Sequence, residues 1–302
     1  MKEFVNSRPL VKGVRLVFVH PGGIMKTSLS FLLCVLMTFT LHAEDKANAN
    51  HFKKVVWIVF ENTNYSKALA QQDFQKIAQS GLLFTNFTAE VHPSQGNYIA
   101  MIAGSNFGIS NDNNVDLTQS HIGDLLEKAS MNWKVYAEDY PGNCFTGKQS
   151  GQYVRKHVPF MSFTSVTQNS ARCLNVEDEK RFDDDMAKGL LPEFSMYIPN
   201  IKNDGHDTGV DYAGKWITKK FGSRLTNPSA LGDVLFIITF DESGVSPVNQ
   251  IYTVLVGANV AIGKNSQAIR HPALLKMIED EFKIGNLGRE DAQAPALTGI
   301  WK

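Results

Sequence analysis

Side chains that could ligate a cation or contact a phosphate recur after apolar runs of this sequence. In chain order they are Glu61-Asn62, Ser94, Asp204 with His206, Asp241-Glu242, and His271. Carboxylate and amide oxygens bind hard cations, and a bound cation lowers the pKa of a nearby hydroxyl. The set therefore indicates a metal-assisted nucleophile that acts on an anionic ester.

Ser94 is the hydroxyl around which these groups would gather. It lies in the stretch VHPSQGNYIAMIAG, residues 91–104, and the apolar run 98–103 that follows it predicts a helix. The N-terminus of a helix carries unpaired N–H groups and the positive end of the helix dipole, so it stabilises an anion. Serine is also a common N-cap, and from this stretch alone a purely capping role stays open.

Acidic residues follow two of the most apolar runs. The run DVLFIITF, residues 233–240, predicts a central strand, and Asp241-Glu242 comes directly after it. Buried carboxylates repel each other unless a cation or a proton lies between them, so this pair is the strongest metal signal in the chain. Glu61-Asn62 follows the apolar run 55–60 in the same way, although these two residues could instead cap the next helix.

Histidines suggest further contacts, each with a simpler alternative. The turn 203–207 contains Asp204 and His206, which could bind a metal or a phosphate, but such polar turns also form for local reasons. The trio Arg155-Lys156-His157 could clamp a phosphate, yet its surroundings are more typical of a solvated loop. His271 stands at a helix entry, and that structural role is its simpler interpretation.

The pattern of apolar residues predicts an α/β domain, because continuous β-branched runs are typical of buried parallel strands. The predicted strands are 55–60, 83–90, 133–137, 193–198, 233–240 and 251–257. The predicted helices are 74–81, 98–103, 122–130, 177–188 and 274–282, and residues 141–163 are loop-like. Functional residues of open α/β sheets lie at the carboxyl ends of the strands, where the polar pairs occur here.

The composition and the N-terminal residues limit the possible location and partners of the protein. The chain has 302 residues and a formal net charge of +0, which gives no reason to expect nucleic acid or an anionic membrane as a partner. A basic start at Met25, the apolar run 29–41 and Leu41-His42-Ala43 predict a cleaved signal peptide rather than a stable membrane anchor. We therefore expect an extension and signal over 1–43, a domain over 44–302, and a periplasmic or secreted protein. Met25 is the favoured start, and a long signal n-region is the alternative.

The three cysteines indicate whether the mature protein contains a disulfide. Cys34 lies within the predicted signal, which leaves Cys144 and Cys173 in the mature chain. An even count in an oxidising compartment favours one disulfide over two buried thiols.

Six segments in order carry a resemblance to a known family. They are VVWIVFENTNY, HPSQGNYIAMIAG, YVRKHVPF with its flanking cysteines, PNIKNDGHDTG, ITFDES and HPALLKMIEDEF. The sequence resembles the phosphoesterase family of secreted acid phosphatases and bacterial phospholipases C, within the alkaline-phosphatase-like superfamily. The resemblance implies a three-layer α/β/α sandwich with a mostly parallel central sheet, and hydrolysis of phosphate esters.

Roles carried over from the family apply to matching positions only. Ser94 falls at the nucleophile position and Asn97 at a phosphate contact, while His206, and less directly His157, fall where the family contacts phosphate. Asp204 would support His206. The resemblance implies metal binding by a group of four residues, which are Glu61, Asn62, Asp241 and Glu242.

Some positions depart from the family. Gln250 stands where relatives often carry His, and Pro-Ala follows His271 where a Tyr-Ser pair is common. The pair Asp241-Glu242 separates this chain from the two-zinc alkaline phosphatases. The sequence therefore predicts an acid phosphatase that acts on small phosphate monoesters through a phosphoserine. Phosphodiesterase or phospholipase C activity, and a non-catalytic binding protein on the same scaffold, remain alternatives. The metal could be iron, calcium, manganese, magnesium or zinc.

Overall fold

The computed structural model of the chain describes residues 51–302, which all lie in one compact unit. The predicted signal peptide, with Met25, Cys34 and the expected boundary after residue 43, lies outside the described residues.

Eight strands form one twisted central sheet, and two more form a small hairpin. Within residues 51–302 the strands are β1 Lys54–Phe60, β2 Leu82–Phe84, β3 Trp133–Ala137, β4 Gln149–Ser150, β5 Tyr153–Val154, β6 Val176–Asp178, β7 Phe194–Ile198, β8 Val234–Phe240, β9 Thr253–Val256 and β10 Gly263–Asn265. The order across the sheet is β10-β2-β9-β8-β1-β7-β3-β6, and β4 pairs with β5. Only β9 runs antiparallel to its neighbours in this sheet of the described region.

Helices lie along the connections between the strands. In the described part of the chain they are α1 Tyr65–Ala70, α2 Gln72–Ser80, α3 Gln95–Ala103, α4 Ile122–Lys128, α5 Thr164–Thr167, α6 Ser170–Cys173, α7 Lys180–Ala187, α8 Val210–Phe221, α9 His271–Phe282 and α10 Glu290–Gln293. Short 3-10 helices occupy Arg155–His157, Pro159–Ser162, Gly222–Arg224 and Pro228–Leu231. None of the helices in residues 51–302 combines the length and apolarity of a membrane span.

The two central strands set the position of the acidic residues. β1 and β8 are parallel and in register, with Phe60 opposite Phe240. Both strands are buried along nearly their whole length, as their continuous apolar sequences predict. The chain therefore leaves both strands at the same level of the sheet, so that Glu61 and Asp241 emerge side by side. The backbone N–H of Asp241 donates to the carbonyl oxygen of Phe60 at 2.9 Å.

Helices pack in two groups against this sheet. α2 packs on α8, and α3 packs on α9. On the α2–α8 side, Phe60 and Phe240 meet Phe74 of α2 with ring centroids 5.2 and 5.3 Å apart, and Trp216 of α8 lies against Phe60. The predicted α/β fold with a large, mostly parallel central sheet is thus confirmed.

Predicted helix starts were late by three residues for α3, which begins at Gln95, and for α9, which begins at His271. Three other predicted segments were wrong in the type of structure that they contain. The strand expected at 83–90 ends at Phe84, and beyond it only isolated bridges at Phe87 and Thr88 continue the pairing. The helix expected at 177–188 begins at Lys180, because Val176–Asp178 pairs with β3 as an edge strand. The loop expected at 141–163 contains the β4–β5 hairpin and two 3-10 helices. In the first two of these segments contacts with distant residues overrode the local pattern, whereas the hairpin in the third pairs residues only three to five positions apart.

Reduction of the Cys144–Cys173 disulfide should destabilise the protein. The structure has this bridge, with Cα atoms 5.6 Å apart and the cysteines 29 positions apart along the chain. Restricting a loop of that length in the unfolded chain stabilises the folded state by about 3 kcal/mol. We expect urea unfolding under reducing conditions to give a free energy of unfolding lower by that amount. The Cys144→Ser/Cys173→Ser double variant should match it and be insensitive to reductant, and equal stability of oxidised and reduced protein would contradict the prediction.

Candidate active site

Ser94 directly precedes α3, at the position where an N-cap residue stands. Its hydroxyl makes no capping hydrogen bond to the helix, and its backbone is already helical, with φ −46° and ψ −51°. A capping serine has extended backbone and a side-chain oxygen that accepts from the first turn. The structure therefore excludes the purely capping role that the sequence left open.

The hydroxyl of Ser94 instead points at polar groups of the residues that follow β1 and β8. Its Oγ lies 3.0 Å from Glu61 Oε2, 3.3 Å from Asn62 Oδ1 and 3.2 Å from Glu242 Oε1. These three residues follow the in-register strand ends, so the register described above brings them together. One hydroxyl can donate to only one acceptor at a time, so the remaining oxygens face each other around it.

Asp241 lies buried beside this group. Neither of its carboxylate oxygens has a hydrogen-bond partner among the described residues. Burial, together with the nearby charges of Glu61 and Glu242, raises the pKa of Asp241 well above its ordinary value. Burial raises the pKa of Glu61 and of Glu242 as well. The carboxyl groups cannot all be ionised here without a compensating positive charge.

A second grouping shares Glu61 with the first. His157 Nε2 lies 3.1 Å from Glu61 Oε1, and His157 Nδ1 lies 3.6 Å from Asp204 Oδ2. One ligand atom from each of Glu61, His157 and Asp204 lies within 4.8 Å of the others. Burial lowers the pKa of His157 far below its ordinary value, which leaves the neutral imidazole that metals bind. Burial and the charge of Glu61 raise the pKa of Asp204 to about 9.

The donor set fits a metal ion. Within residues 51–302, Asp204 Oδ2 and both oxygens of Asp241 are buried and accept no hydrogen bond. Such oxygens are costly to bury unless a cation or a proton satisfies them. Oxygen ligands with one imidazole suit several divalent or trivalent ions, so the residues leave the identity of the metal open. A metal site was predicted here, and the structure adds the Glu61–His157–Asp204 grouping to the predicted ligands.

An open cavity of about 530 Å³ adjoins these groups. Ser94 is only 1% exposed, but its neighbour Asn62 is exposed and lines the cavity. His206 lies across it, with its Nδ1 2.7 Å from Asp207 Oδ1 and its backbone N–H donating to Asp204 Oδ1 at 2.8 Å. The lining of this cavity therefore contains both the His206 imidazole and Asn62, whose side-chain oxygen contacts the Ser94 hydroxyl.

Two other predicted residues serve the loop that carries Ser94. Asn97 is buried, and its amide accepts from the N–H groups of Glu90 and Val91 and donates to the carbonyl oxygen of Val91. Its predicted phosphate contact stays a prediction. His271 begins α9, with its Nδ1 2.5 Å from Glu90 Oε2, which agrees with the structural interpretation of this residue. Gln250 donates to the carbonyl oxygen of Thr85 at 2.8 Å.

Sequence reasoning missed two residues beside the site. Nδ1 of His92 contacts Glu242 Oε2, and His92 stands two residues before Ser94 in the stretch singled out for that serine. The ring of Tyr98 stacks on that of His157, with centroids 5.1 Å apart, and its hydroxyl faces Glu61. The signal for His92 was its place in the HPSQGN segment, whereas Tyr98 looked like an ordinary core residue.

Comparison with known proteins connects this geometry to a family. The sequence profile of the Phosphoesterase family matches residues 63–285. An acid phosphatase of Aspergillus fumigatus is 34% identical over 256 residues, which cover 80% of this chain and 57% of that protein. A phosphatidylinositol-3-phosphatase of Mycobacterium tuberculosis is 30% identical over 257 residues, which cover 83% of each chain. The chain thus spans little more than half the length of the Aspergillus relative.

Among solved structures, the chain resembles a protein of the alkaline phosphatase superfamily from Vibrio parahaemolyticus. The TM-score is 0.54 at 14% identity, and the match covers 83% of this chain and 72% of that chain. At this identity the likeness concerns the fold alone, and it confirms the predicted alkaline-phosphatase-like fold.

Without a cation at this cluster, the stability of the protein should fall as pH rises. In the unfolded chain Asp204 ionises near its ordinary pKa of 3.8, whereas in the folded protein it keeps its proton until about pH 9. Between these values the folded state holds more protons, so each such carboxyl lowers the free energy of unfolding by about 1.4 kcal/mol per pH unit. We expect thermal unfolding of chelator-treated protein to show a lower Tm at pH 8 than at pH 5.

Two variants separate the effect of a buried carboxyl group on the Tm from that of an exposed one. Asp204→Asn should make the Tm of the chelator-treated protein depend less on pH. Asp233→Asn, which changes an exposed carboxylate paired with Lys53, should leave the pH dependence of the Tm unchanged. Added divalent cation should restore the Tm at pH 8. A chelator-treated protein whose Tm is constant or rises between pH 5 and pH 8 would contradict the sign.

Proposed function

This chain belongs to the Phosphoesterase family, and we propose that it is a metal-dependent phosphoric ester hydrolase that acts on phosphate monoesters. The family match and the similarity to proteins named acid phosphatase and phosphatidylinositol-3-phosphatase support hydrolysis of a phosphate ester. The names of both relatives favour the monoester class over the diester class.

One observation carries the assignment of the nucleophile. The hydroxyl of Ser94 does not cap α3 but lies within 3.3 Å of two carboxylates and an amide oxygen. The two carboxylates can take up its proton, and the N-terminus of α3 is a favourable position for an anion. A serine that served only the fold would have no need for buried, mutually repelling acceptors.

The first step joins Ser94 to phosphorus. The Oγ–P bond forms as the bond from phosphorus to the leaving-group oxygen breaks, and the hydroxyl proton passes to Glu61 or Glu242, whose oxygens lie 3.0 and 3.2 Å away. A metal ion held by Glu61, Asn62, Asp241 and Glu242, with His157 and Asp204 as further ligands or as phosphate contacts, would supply charge compensation at these oxygens.

His206 is placed to act on the leaving group. Its side chain is 44% exposed and lines the cavity, and Asp207 holds its Nδ1. That bond leaves Nε2 free to carry a proton to the departing oxygen. In the second step, a water molecule attacks phosphorus as the Oγ–P bond breaks. One proton of the water passes to Nε2 of His206, the Ser94 oxygen recovers its proton from Glu61 or Glu242, and phosphate is released.

We further propose that the protein is exported. The predicted signal over residues 25–43 supports this location, and the Cys144–Cys173 disulfide agrees with an oxidising compartment.

Ser94→Ala should abolish turnover while the protein stays folded. Loss of a covalent nucleophile lowers kcat by about a thousandfold or more, since the remaining groups cannot replace the attacking oxygen. The measurement is steady-state hydrolysis of a chromogenic phosphate monoester by the metal-loaded protein, with the Tm recorded for each variant.

The matched control is Ser80→Ala, which removes an exposed serine hydroxyl at the end of α2, bonded only to the carbonyl oxygen of Lys76. This variant should keep the turnover of the wild type. Near-normal turnover by Ser94→Ala would exclude Ser94 as the nucleophile, and absence of turnover in the wild type on a panel of phosphate esters would favour the binding-protein alternative.

A further inference from the structure

An ion pair lies directly beside the nucleophile. Nζ of Lys156 donates to Asp112 Oδ2 at 2.7 Å, and the other oxygen of the same carboxylate accepts from the backbone N–H of Gln95 at 3.1 Å. Gln95 follows Ser94 and is the first residue of α3. The Asp112 carboxylate thus accepts hydrogen bonds from both the backbone N–H at the N-terminus of α3 and the ammonium group of Lys156.

Lys156 belongs to the same electrostatic environment as the candidate metal ligands. Its side chain is only 16% exposed, and its charge interacts with those of Glu61 and Asp241 as well as with Asp112. It immediately precedes His157, which contacts Glu61. A lysine that merely solvated a loop would extend into solvent, whereas this one is mostly buried and paired with Asp112.

The neighbouring arginine shows that the pairing of Lys156 is not needed to hold the loop. Arg155 is buried and donates to the carbonyl oxygens of Met161, Thr146 and Val115 and to the carboxylate of Asp116. These bonds already tie the segment with Asp112 and Asp116 to the rest of the fold. Within residues 51–302, the ammonium group of Lys156 donates no hydrogen bond to the backbone. It can therefore exchange one anion for another.

Gln95 adds an independent sign that the arrangement is incomplete. Its side chain is 1% exposed, and neither its amide oxygen nor its amide nitrogen has a hydrogen-bond partner in the described part of the chain. A buried amide without a partner is costly, and a bound group would satisfy it.

We infer that Lys156 and the N–H of Gln95 form an anion-binding position for the phosphoryl group of the substrate, and that Asp112 occupies this position in the free protein. The inference rests on the proposed function and adds two roles to it: Lys156 binds the phosphoryl group, and Asp112 competes with that group for Lys156. A phosphate monoester carries up to two negative charges and three acceptor oxygens, so it is a better partner for an ammonium group and an N–H than one carboxylate. Substrate binding would displace Asp112 from Lys156.

Substitution of Asp112 tests the competition. Asp112→Asn keeps the shape and the acceptor for Gln95 but removes the charge that pairs with Lys156. We expect inorganic phosphate to bind the metal-loaded variant about fivefold tighter or more, measured by calorimetric titration, and KM for a phosphate monoester to fall in parallel, while kcat stays within about threefold. Asp112→Ser offers a second removal of the charge if the Asn variant does not fold.

Two further variants complete the experiment: Lys156→Met, and Asp116→Asn as its control. Lys156→Met keeps the length of the side chain, and we expect it to weaken phosphate binding about tenfold and raise KM with a smaller effect on kcat. Asp116→Asn is the control, because Asp116 lies in the same loop, pairs with the adjacent Arg155, and is 67% exposed. It should leave phosphate binding and KM unchanged.

The outcomes separate this inference from the proposed function. Phosphate binding that is unchanged or weaker in Asp112→Asn, the same in Asp112→Asn as in Asp116→Asn, or unaffected by Lys156→Met would overturn the inference. If the wild type hydrolyses no phosphate ester but Asp112→Asn still binds phosphate more tightly, the proposed function fails and the anion-binding position stands. A large loss of kcat in Asp112→Asn would overturn the competitor role and make Asp112 part of the reaction.

Discussion

Repulsion among buried carboxyl groups is the constraint on which the site depends. Glu61, Asp204, Asp241 and Glu242 are all buried, and Glu61 interacts electrostatically with both Asp204 and Asp241. Folding brings these groups together at a cost that the apolar sheet must offset, and a positive charge at their centre removes most of that cost. The same constraint accounts for the partially buried ammonium of Lys156 and for the contact of His92 with Glu242.

The sheet supplies the rigidity that such a cluster requires. β1 and β8 are adjacent, parallel and buried, and their register places the residues after Phe60 and Phe240 at one level. A shift of one residue would turn each side chain to the opposite face of the sheet. The hydrogen bond from Thr63 N–H to the carbonyl oxygen of Glu242 continues the pairing past the strands, so the acidic residues are held by backbone on both sides.

The parts of the site that follow strands were predictable, and the parts that come from loops were not. Glu61 and Asp241 stand after long apolar runs, and the carboxyl ends of parallel strands converge wherever such runs pair. Whether Ser94 caps α3 depends on tertiary contacts that no local pattern encodes. The pairing of Lys156 with Asp112 joins residues 44 positions apart, which composition does not reveal. The strand expected to run as far as Glu90 failed for the same reason, because long-range partners decide where pairing stops.

The 3-10 turn Arg155–His157 gives three consecutive residues three separate tasks. Arg155 fixes the loop, Lys156 pairs with Asp112, and His157 joins the acidic cluster. Successive side chains of a 3-10 helix are about 120° apart, so each faces a different neighbour. One inserted or deleted residue would rotate all three to the wrong partner at once. This stretch can therefore accept some changes of residue type, but a change in its length would remove the loop anchor, the cation and the imidazole together.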